Sequence, residues 1–331
     1  MKEVGLRMVI SICIVNYNGR DFLPACIESV LASDFSGAVE IIVIDNGSTD
    51  GSIGLVRELF PDIELIESGR NEGFAAANNK AFGRSSGSFV LFLNPDTIVQ
   101  EHSLGQMVSF LEAEEGAAAC GCRLYHPESG LVESSARSDP DLLPLFWNLT
   151  YIDRLFPTSP FFSRYLMTHA DDREARHTDW ITGACMLVRS DVFEKVGGFD
   201  ARFFMYCEDI DLCYRMRQAG WSVVYYPSAA IGHYRGMSSA RHRGEGEGRL
   251  SVWGARQYSR SVLLFYALHC GKTKTLILRI MLIATSLIKA AGWITVGSLM
   301  RGWRIGSSRA RSYCAMSAPA FERIALGRKG D

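Results

Sequence analysis

Residues 9–31, VISICIVNYNGRDFLPACIESVL, and residues 41–60, IIVIDNGSTDGSIGLVRELF, repeat one rhythm. A β-branched run ends in a turn rich in Asn, Asp, Gly and Ser, and apolar residues at helical spacing follow. Strands are predicted at Val9–Val15 and Ile41–Ile44, and helices near Phe22–Ala32 and Ser52–Phe60. The rhythm continues after Pro61 with a strand at Ile63–Ile66, the loop Ser68–Gly73 and a helix at Phe74–Phe82. A fourth strand, Phe89–Leu93, runs into Asn94-Pro95-Asp96. Strands alternating with helices imply an α/β fold whose Rossmann-like, mostly parallel central sheet carries helices on both faces. Ligands of such sheets bind beyond the carboxyl ends of the strands, where all four polar loops fall.

Further along, residues 125–179 are irregular, with prolines at 127, 140, 144, 157 and 160 among aromatics, and read as an insertion or lid over the site. Strand character resumes at Trp180–Val188, a short helix at Asp191–Val196, and a last strand at Trp221–Tyr226 that Pro227 should end. Between them lies FFMYCEDIDLCYR, Phe203–Arg215, where three carboxylates follow an aromatic cluster. Acids beside apolar groups acquire raised pKa values, as a general base requires. Helix capping by Asp209 and an i,i+4 pair between Asp211 and Arg215 would explain the same residues.

The near-neutral total of 35 Lys/Arg against 36 Asp/Glu hides a division: residues 241–331 hold 16 of the basic and 4 of the acidic groups. A linker, RHRGEGEGR, leads there into a helical pattern around Leu250–His269. Leu276–Met300 is strongly apolar but interrupted by Arg279 and Lys289 and flanked by Lys272, Lys274, Arg301 and Arg304. Charge at a bilayer centre is costly, so helices lying in the membrane interface are favoured over a full span. Basic groups beside apolar surface suit an anionic cytoplasmic leaflet, and no nucleic-acid-binding motif is present. The nine cysteines lie mostly in apolar runs without a C-x-x-C pair, which suits reduced thiols in a cytosolic protein.

The succession VNYNG, VIDNGSTDGS, RNEGFAAANN, FLNPD, WITGACMLVR, GGFD and FFMYCEDIDLCYR resembles bacterial glycosyltransferase family 2, in particular its rhamnosyltransferase-like branch, over about residues 8–240. The resemblance implies a GT-A catalytic domain at 1–240 and leaves 241–331 as a basic, apolar helical region that associates with membrane. It further implies a nucleoside-diphosphate-sugar donor, dTDP- or UDP-linked, and Mg²⁺ or Mn²⁺. The reaction expected is inverting transfer, rhamnose being favoured, to a polyprenyl-diphosphate-linked acceptor in cell-surface polysaccharide synthesis. The place of action would be the cytoplasmic side of the inner membrane, peripheral or monotopic, and a homo-oligomer is compatible with it.

Residue by residue, the resemblance makes Asp209 the base that takes the acceptor hydroxyl proton, with Glu208 orienting either the acceptor or Asp209. It makes Asp96 a metal ligand, with Asn94 where the wider family often has the first acid of D-x-D, and His233 a second ligand. Asp45 would accept the N3–H of a pyrimidine base and Tyr17 pack against that base. Asn71, Gly73 and Asn79 would approach ribose and diphosphate, and Asn94 would hydrogen-bond ribose or phosphate. Trp180 and Gly183 would line the sugar and acceptor pocket, although Trp180 is equally a core residue. The competing functions are a non-catalytic nucleotide-binding scaffold and a sugar nucleotidyltransferase. A dinucleotide-dependent dehydrogenase is disfavoured, because the first strand–helix turn lacks G-x-G-x-x-G.

Overall fold

The computed structural model describes residues 9–234, 252–297, 312–315, 317–322 and 324. The linker read at 241–249 and the residues Arg301 and Arg304 lie outside the described residues. Two units emerge: Met1–Asp139 with Ala170–Phe204 and Glu208–Glu247, and Pro140–His169 with Met205–Cys207 and Gly248–Asp331.

In the first unit, β1 (Val9–Asn16), β2 (Ala38–Asp45), β3 (Glu64–Glu67) and β4 (Phe89–Leu93) alternate with α1 (Leu23–Leu31), α2 (Ser52–Leu59) and α3 (Phe74–Phe82). Then come β5 (Thr97–Val99), α4 (Ser103–Ala113), β6 (Ala117–Tyr125), β7 (Val132–Ser134) and β8 (Ala136–Arg137). Within the second unit lie α5 (Leu142–Thr150) and α6 (Ile152–Leu155). The first unit resumes with β9 (Arg176–His177), β10 (Trp180–Ile181), β11 (Cys185–Arg189), α7 (Ser190–Lys195), α8 (Glu208–Gln218) and β12 (Ser222–His233). The second ends with α9 (Val252–His269) and α10 (Gly271–Gly292).

The main sheet runs β3-β2-β1-β4-β11-β6-β12-β5, with β7 added on β6 and β9 on β12. Along that path only β11 and β5 oppose the others, so the sheet is mostly parallel. Ile10, Ile12 and Ile14 of β1 share one apolar cluster with Leu23, Ile27 and Val30 of α1, and all six are essentially inaccessible. Each such side chain contributes about 1.5–3 kcal/mol through burial. Because β1 is covered on both faces, its sequence reads as a continuous apolar run instead of an alternating one. The chain leaves β1 toward β2 and β3 on one side and returns to β4 on the other. That reversal makes the carboxyl ends of β1 and β4 the place where such sheets bind their ligands.

Two sequence expectations fail locally. The run Trp180–Val188 is two strands, broken at 182–184, where the Thr182 N–H donates to the Ser135 carbonyl and the Ala184 carbonyl accepts from the Asn94 N–H. Pro227 does not end its strand. The β12–β6 register slips between Tyr226 and Ala230, so the proline sits in a bulge where the ladder asks for no N–H. The irregular 125–179 stretch contains β7, β8, α5, α6 and β9, and its residues 140–169 group with the C-terminal helices.

In the second unit, Val262–Tyr266 of α9 are buried, and the Tyr258 and Tyr165 hydroxyls meet at 2.7 Å. Among the described residues, the segment Gly271–Thr295 is the one helix long and apolar enough to cross a membrane, with 28% of its apolar window buried.

Candidate active site

At the ends of β1 and β2, Asn16 and Asp45 are register partners. Asp45 is buried, and its carboxylate accepts from the Asn16 amide at 3.0 Å and from the Gly47 and Ser48 N–H groups at 3.1 and 2.9 Å. The Asn16 amide also reaches Ser48 and Ser52, while its oxygen accepts from the Gly19 N–H. Oδ1 of Asp45 therefore accepts a single protein donor and keeps capacity for a ligand N–H. Asn46 ties the next loop in place: its amide donates to Asn71 Oδ1 and the Gly73 carbonyl, and its oxygen accepts from the Glu72 N–H. Tyr17, half-buried, follows Asn16 on the same loop.

Asp96 follows β4 and is 1% exposed, yet neither carboxylate oxygen has a hydrogen-bond partner. His233, at the end of β12, is brought beside it because β12 pairs antiparallel with β5, His233 opposite Thr97. Its Nε2, also buried and without a hydrogen bond, lies 3.5 Å from Asp96 Oδ1. Buried polar atoms are nearly always satisfied, so the unmet oxygens of Asp96 and the unmet Nε2 of His233 beside them make this pair a candidate to hold a cation. A carboxylate and an imidazole fit a divalent ion of the Mg²⁺ or Mn²⁺ kind with oxygen ligands completing its shell. Among the described residues no group of three or more His, Cys, Asp or Glu is placed to hold a metal ion.

The acidic motif opens α8. Asp209 Oδ2 accepts from the Gly183 N–H at 3.1 Å and Oδ1 from the Ile210 N–H at 2.9 Å. Burial pushes the Asp209 carboxyl up to about 6, the backbone donors and the Arg137 charge pulling it back. Glu208 is buried with Oε2 unpartnered, and burial followed by the Asp209 charge drives its pKa well above the carboxylate range. Burial and mutual repulsion thus disfavour both carboxylates being ionised together, Glu208 most of all. Asp211, inaccessible, is held by Arg215, which also donates to the Val196 and Gly198 carbonyls. That side chain is an architectural tie.

Gly183 joins these parts. Its N–H holds Asp209, its neighbour Ala184 accepts from the Asn94 N–H, and the Asn94 carbonyl in turn accepts from Thr97 Oγ1 beside Asp96. A Cβ at Gly183 would press on the Phe74 ring at 3.3 Å. Gly73 has φ +88°, and a Cβ there would collide with the Phe204 carbonyl, which accepts from the Phe74 N–H at 2.7 Å. Its immediate reason for being glycine is this close approach. Asn71 is exposed, its oxygen accepting from the Gly73 N–H. Asn79 spends its amide on Phe199, donating to its carbonyl and accepting from its N–H, so in this structure it ties the GGFD turn to α3. Trp180 is 8% exposed and donates through Nε1 to the Ser138 carbonyl, a core setting. Sequence reasoning passed over Asn16, Asn46 and Arg137. The repeated amide at the strand ends, Asn16 after Val15 and Asn46 after Asp45, was the available signal.

The comparisons decide the family. The family model for glycosyl transferase family 2 matches residues 11–197. The chain belongs to glycosyl transferase family 2. Among its relatives, the N-acetylglucosaminyl-diphospho-decaprenol L-rhamnosyltransferase of Mycobacterium tuberculosis is 33% identical over 214 residues, 61% of this chain and 69% of the relative. Rhamnosyltransferase WbbL of Escherichia coli is 29% identical over 235 residues, 68% of this chain and 83% of the relative. Of solved structures, the mannosyltransferase PcManGT of Pyrobaculum calidifontis, in complex with GDP-Man and Mn²⁺, superposes with a TM-score of 0.54 at 16% identity, covering 93% of this chain and 85% of that one. This family 2 chain is a glycosyltransferase with a GT-A fold.

Proposed function

We propose that this enzyme transfers a sugar, rhamnose by kinship with its relatives, from a dTDP- or UDP-linked donor to a polyprenyl-diphosphate-linked saccharide, with inversion at the anomeric carbon. The observation that carries the reading is the convergence of unmet buried atoms, Asp96 Oδ1 and Oδ2 with His233 Nε2, at the sheet end that also bears Asp45. Asp45 accepts the pyrimidine N3–H, and Tyr17 lies against the base. Asn71, Gly73, Asn79 and Asn94 border the ribose and diphosphate; Asn79 acts there by holding its turn.

Asp96 and His233 would hold the divalent ion, whose charge offsets that of the departing diphosphate. With Asn94 in place of an acid, the protein brings one carboxylate to that ion, so metal and donor bind together. Asp209, ionised at neutral pH and aimed by the Gly183 N–H, removes the acceptor hydroxyl proton as the oxygen attacks the anomeric carbon. The sugar–diphosphate bond breaks on the opposite face. Glu208, whose charged form burial and the Asp209 charge disfavour, orients the acceptor or Asp209. Gly183 forms the floor beside Asp209, and Trp180 supports that segment from the core.

The second unit supports action at a membrane surface on the cytoplasmic side, since α10 leaves Leu276, Ile277, Ile280, Leu287 and Ile288 exposed. Incubating purified protein with a panel of nucleotide sugars, Mn²⁺ and a short-chain N-acetylglucosaminyl-diphospho lipid tests the proposal by mass spectrometry. A glycosylated lipid plus free nucleoside diphosphate supports it; a new diphosphate-linked sugar nucleotide, or no turnover with any donor, rejects it.

A further inference from the structure

In the second unit, rings from α5 and from the turn after α6 come together around Phe162. Its centroid lies 4.9 Å from that of Phe156, 5.0 Å from that of Phe161 and 5.2 Å from that of Trp147. Phe156 stacks on it and stays 50% exposed, and Phe161 meets it edge-on and stays 58% exposed. The turn is built to keep them there: Ser163 Oγ donates to the Ser159 carbonyl and Thr168 Oγ1 to the Pro157 carbonyl, each at 2.8 Å. Apolar side chains scattered singly over a surface are ordinary. Two phenyl rings fixed outward against a shared third are not scattered.

Charge and size say what these rings meet. From Leu142 to Thr168 the charged side chains are Asp153, Arg154 and Arg164. Asp153 is buried and both arginines are exposed, so no acid on this segment opposes an anionic leaflet. Aromatic and basic groups without exposed acid are the composition of elements that settle in a membrane interface. Two half-exposed phenyl rings offer on the order of 200 Å², well under the ~800 Å² per partner of a standard protein–protein interface. Rings entering a bilayer need no complementary partner surface, and each acts by itself.

We propose that the turn bearing Phe156 and Phe161 is a membrane-contact element whose rings enter the lipid interface. It rests on the membrane setting of the proposed function and adds to it a contact separate from the exposed residues of α10.

Flotation of the full chain with phosphatidylcholine vesicles containing about a third phosphatidylglycerol tests it. Phe156→Ser and Phe161→Ser are each expected to weaken binding at least about fivefold, and the double variant by about the product of the two. Leu59→Ser, at a 48% exposed apolar position on α2 of the first unit, should leave binding unchanged. Trp147, whose ring centroid is 6.0 Å from that of Phe161, gives a second reading. Brominated lipid should quench tryptophan emission of the native chain, and quench that of Trp147→Phe less. Binding that survives both Phe variants and falls only with Ile280→Ser or Leu287→Ser on α10 overturns the element and leaves membrane association standing. If the Phe variants keep vesicle binding but lose self-association in sedimentation velocity, the patch meets a second copy. If they keep it but raise the KM of a long-chain polyprenyl acceptor, the patch holds the acceptor's chain; either result overturns the proposal. A native chain that floats with no vesicle sinks the membrane reading itself, whereas the transferase reading fails separately, by absence of transfer to a short-chain acceptor. Unchanged circular dichroism and short-chain transfer in both Phe variants separate lost docking from misfolding.

Discussion

Replacing Asp209 with Asn removes the proposed base at almost constant shape, and two quantities should move in opposite directions. Activity falls, by about 10²–10⁴-fold in kcat, because no other ionised carboxylate is held by the Gly183 N–H. Stability at neutral pH rises. The Asp209 carboxyl goes from 3.8 to about 6 on folding, so its charged form costs up to roughly 3 kcal/mol in the native state. The sign follows from linkage: a carboxyl raised on folding favours the native state while protonated, and that advantage is lost as pH rises through 4 to 6. The stability gain of Asp209→Asn should therefore be absent near pH 4, grow up to pH 6 and stay level above. The native enzyme's transfer rate should drop about tenfold per pH unit below 6, since only the ionised fraction accepts a proton. Denaturant titrations of both proteins across this range, with sugar transfer to the lipid acceptor followed alongside, provide the measurement. A flat rate profile down to pH 5, or an Asn variant that transfers normally, would refute the base assignment. A destabilised variant at neutral pH would refute the electrostatic account while leaving the chemistry open.

Three further outcomes are expected. Calorimetry of nucleoside diphosphate binding should show a Mn²⁺-dependent gain that disappears in Asp96→Ala and in His233→Ala, because Asp96 Oδ1 and His233 Nε2 lie 3.5 Å apart with neither hydrogen-bonded. Asp45→Asn should raise the donor KM about ten- to hundredfold with a smaller change in kcat, the loss of one hydrogen bond to a charged acceptor. Gly73→Ala should cost at least about 2 kcal/mol in chemical denaturation, since its φ of +88° suits only glycine and the new methyl meets the Phe204 carbonyl.

Where local periodicity is strong, the sequence and the structure agree closely: α3 at Phe74–Phe82 and β4 at Phe89–Leu93 were readable residue for residue. The misreadings have tertiary causes. Pro227 reads as a stop because a bulge is invisible without the partner strand β6. The split of Trp180–Val188 depends on donors and acceptors from residues 94 and 135. The site follows the same division. Asp96 and the acidic motif stand out as carboxylates after apolar residues, whereas the approach of His233 to Asp96 comes from a strand pairing that joins positions 97 and 233. The double hydrogen bond from Asn79 to Phe199 spans 120 positions and leaves no local mark. Within the stretch 125–179, read as an insertion or lid, residues 140–169 group with helices far along the chain, a long-range association that leaves no local mark.

The approach to α8 includes two consecutive non-glycine residues in the left-handed region, Tyr206 at φ +65° and Cys207 at +64°. Each costs about 1–2 kcal/mol that a glycine would not. Cys207 is 3% exposed, and the Met205 carbonyl just before accepts from Ser261 at 2.8 Å, so side-chain packing and α9 compel a conformation the backbone resists. Energy is thereby stored one residue ahead of the proposed acid and base. Glycine substitutions there would relieve the backbone and remove the packing that enforces it, uncoupling the persistence of the fold from the readiness of its carboxylates.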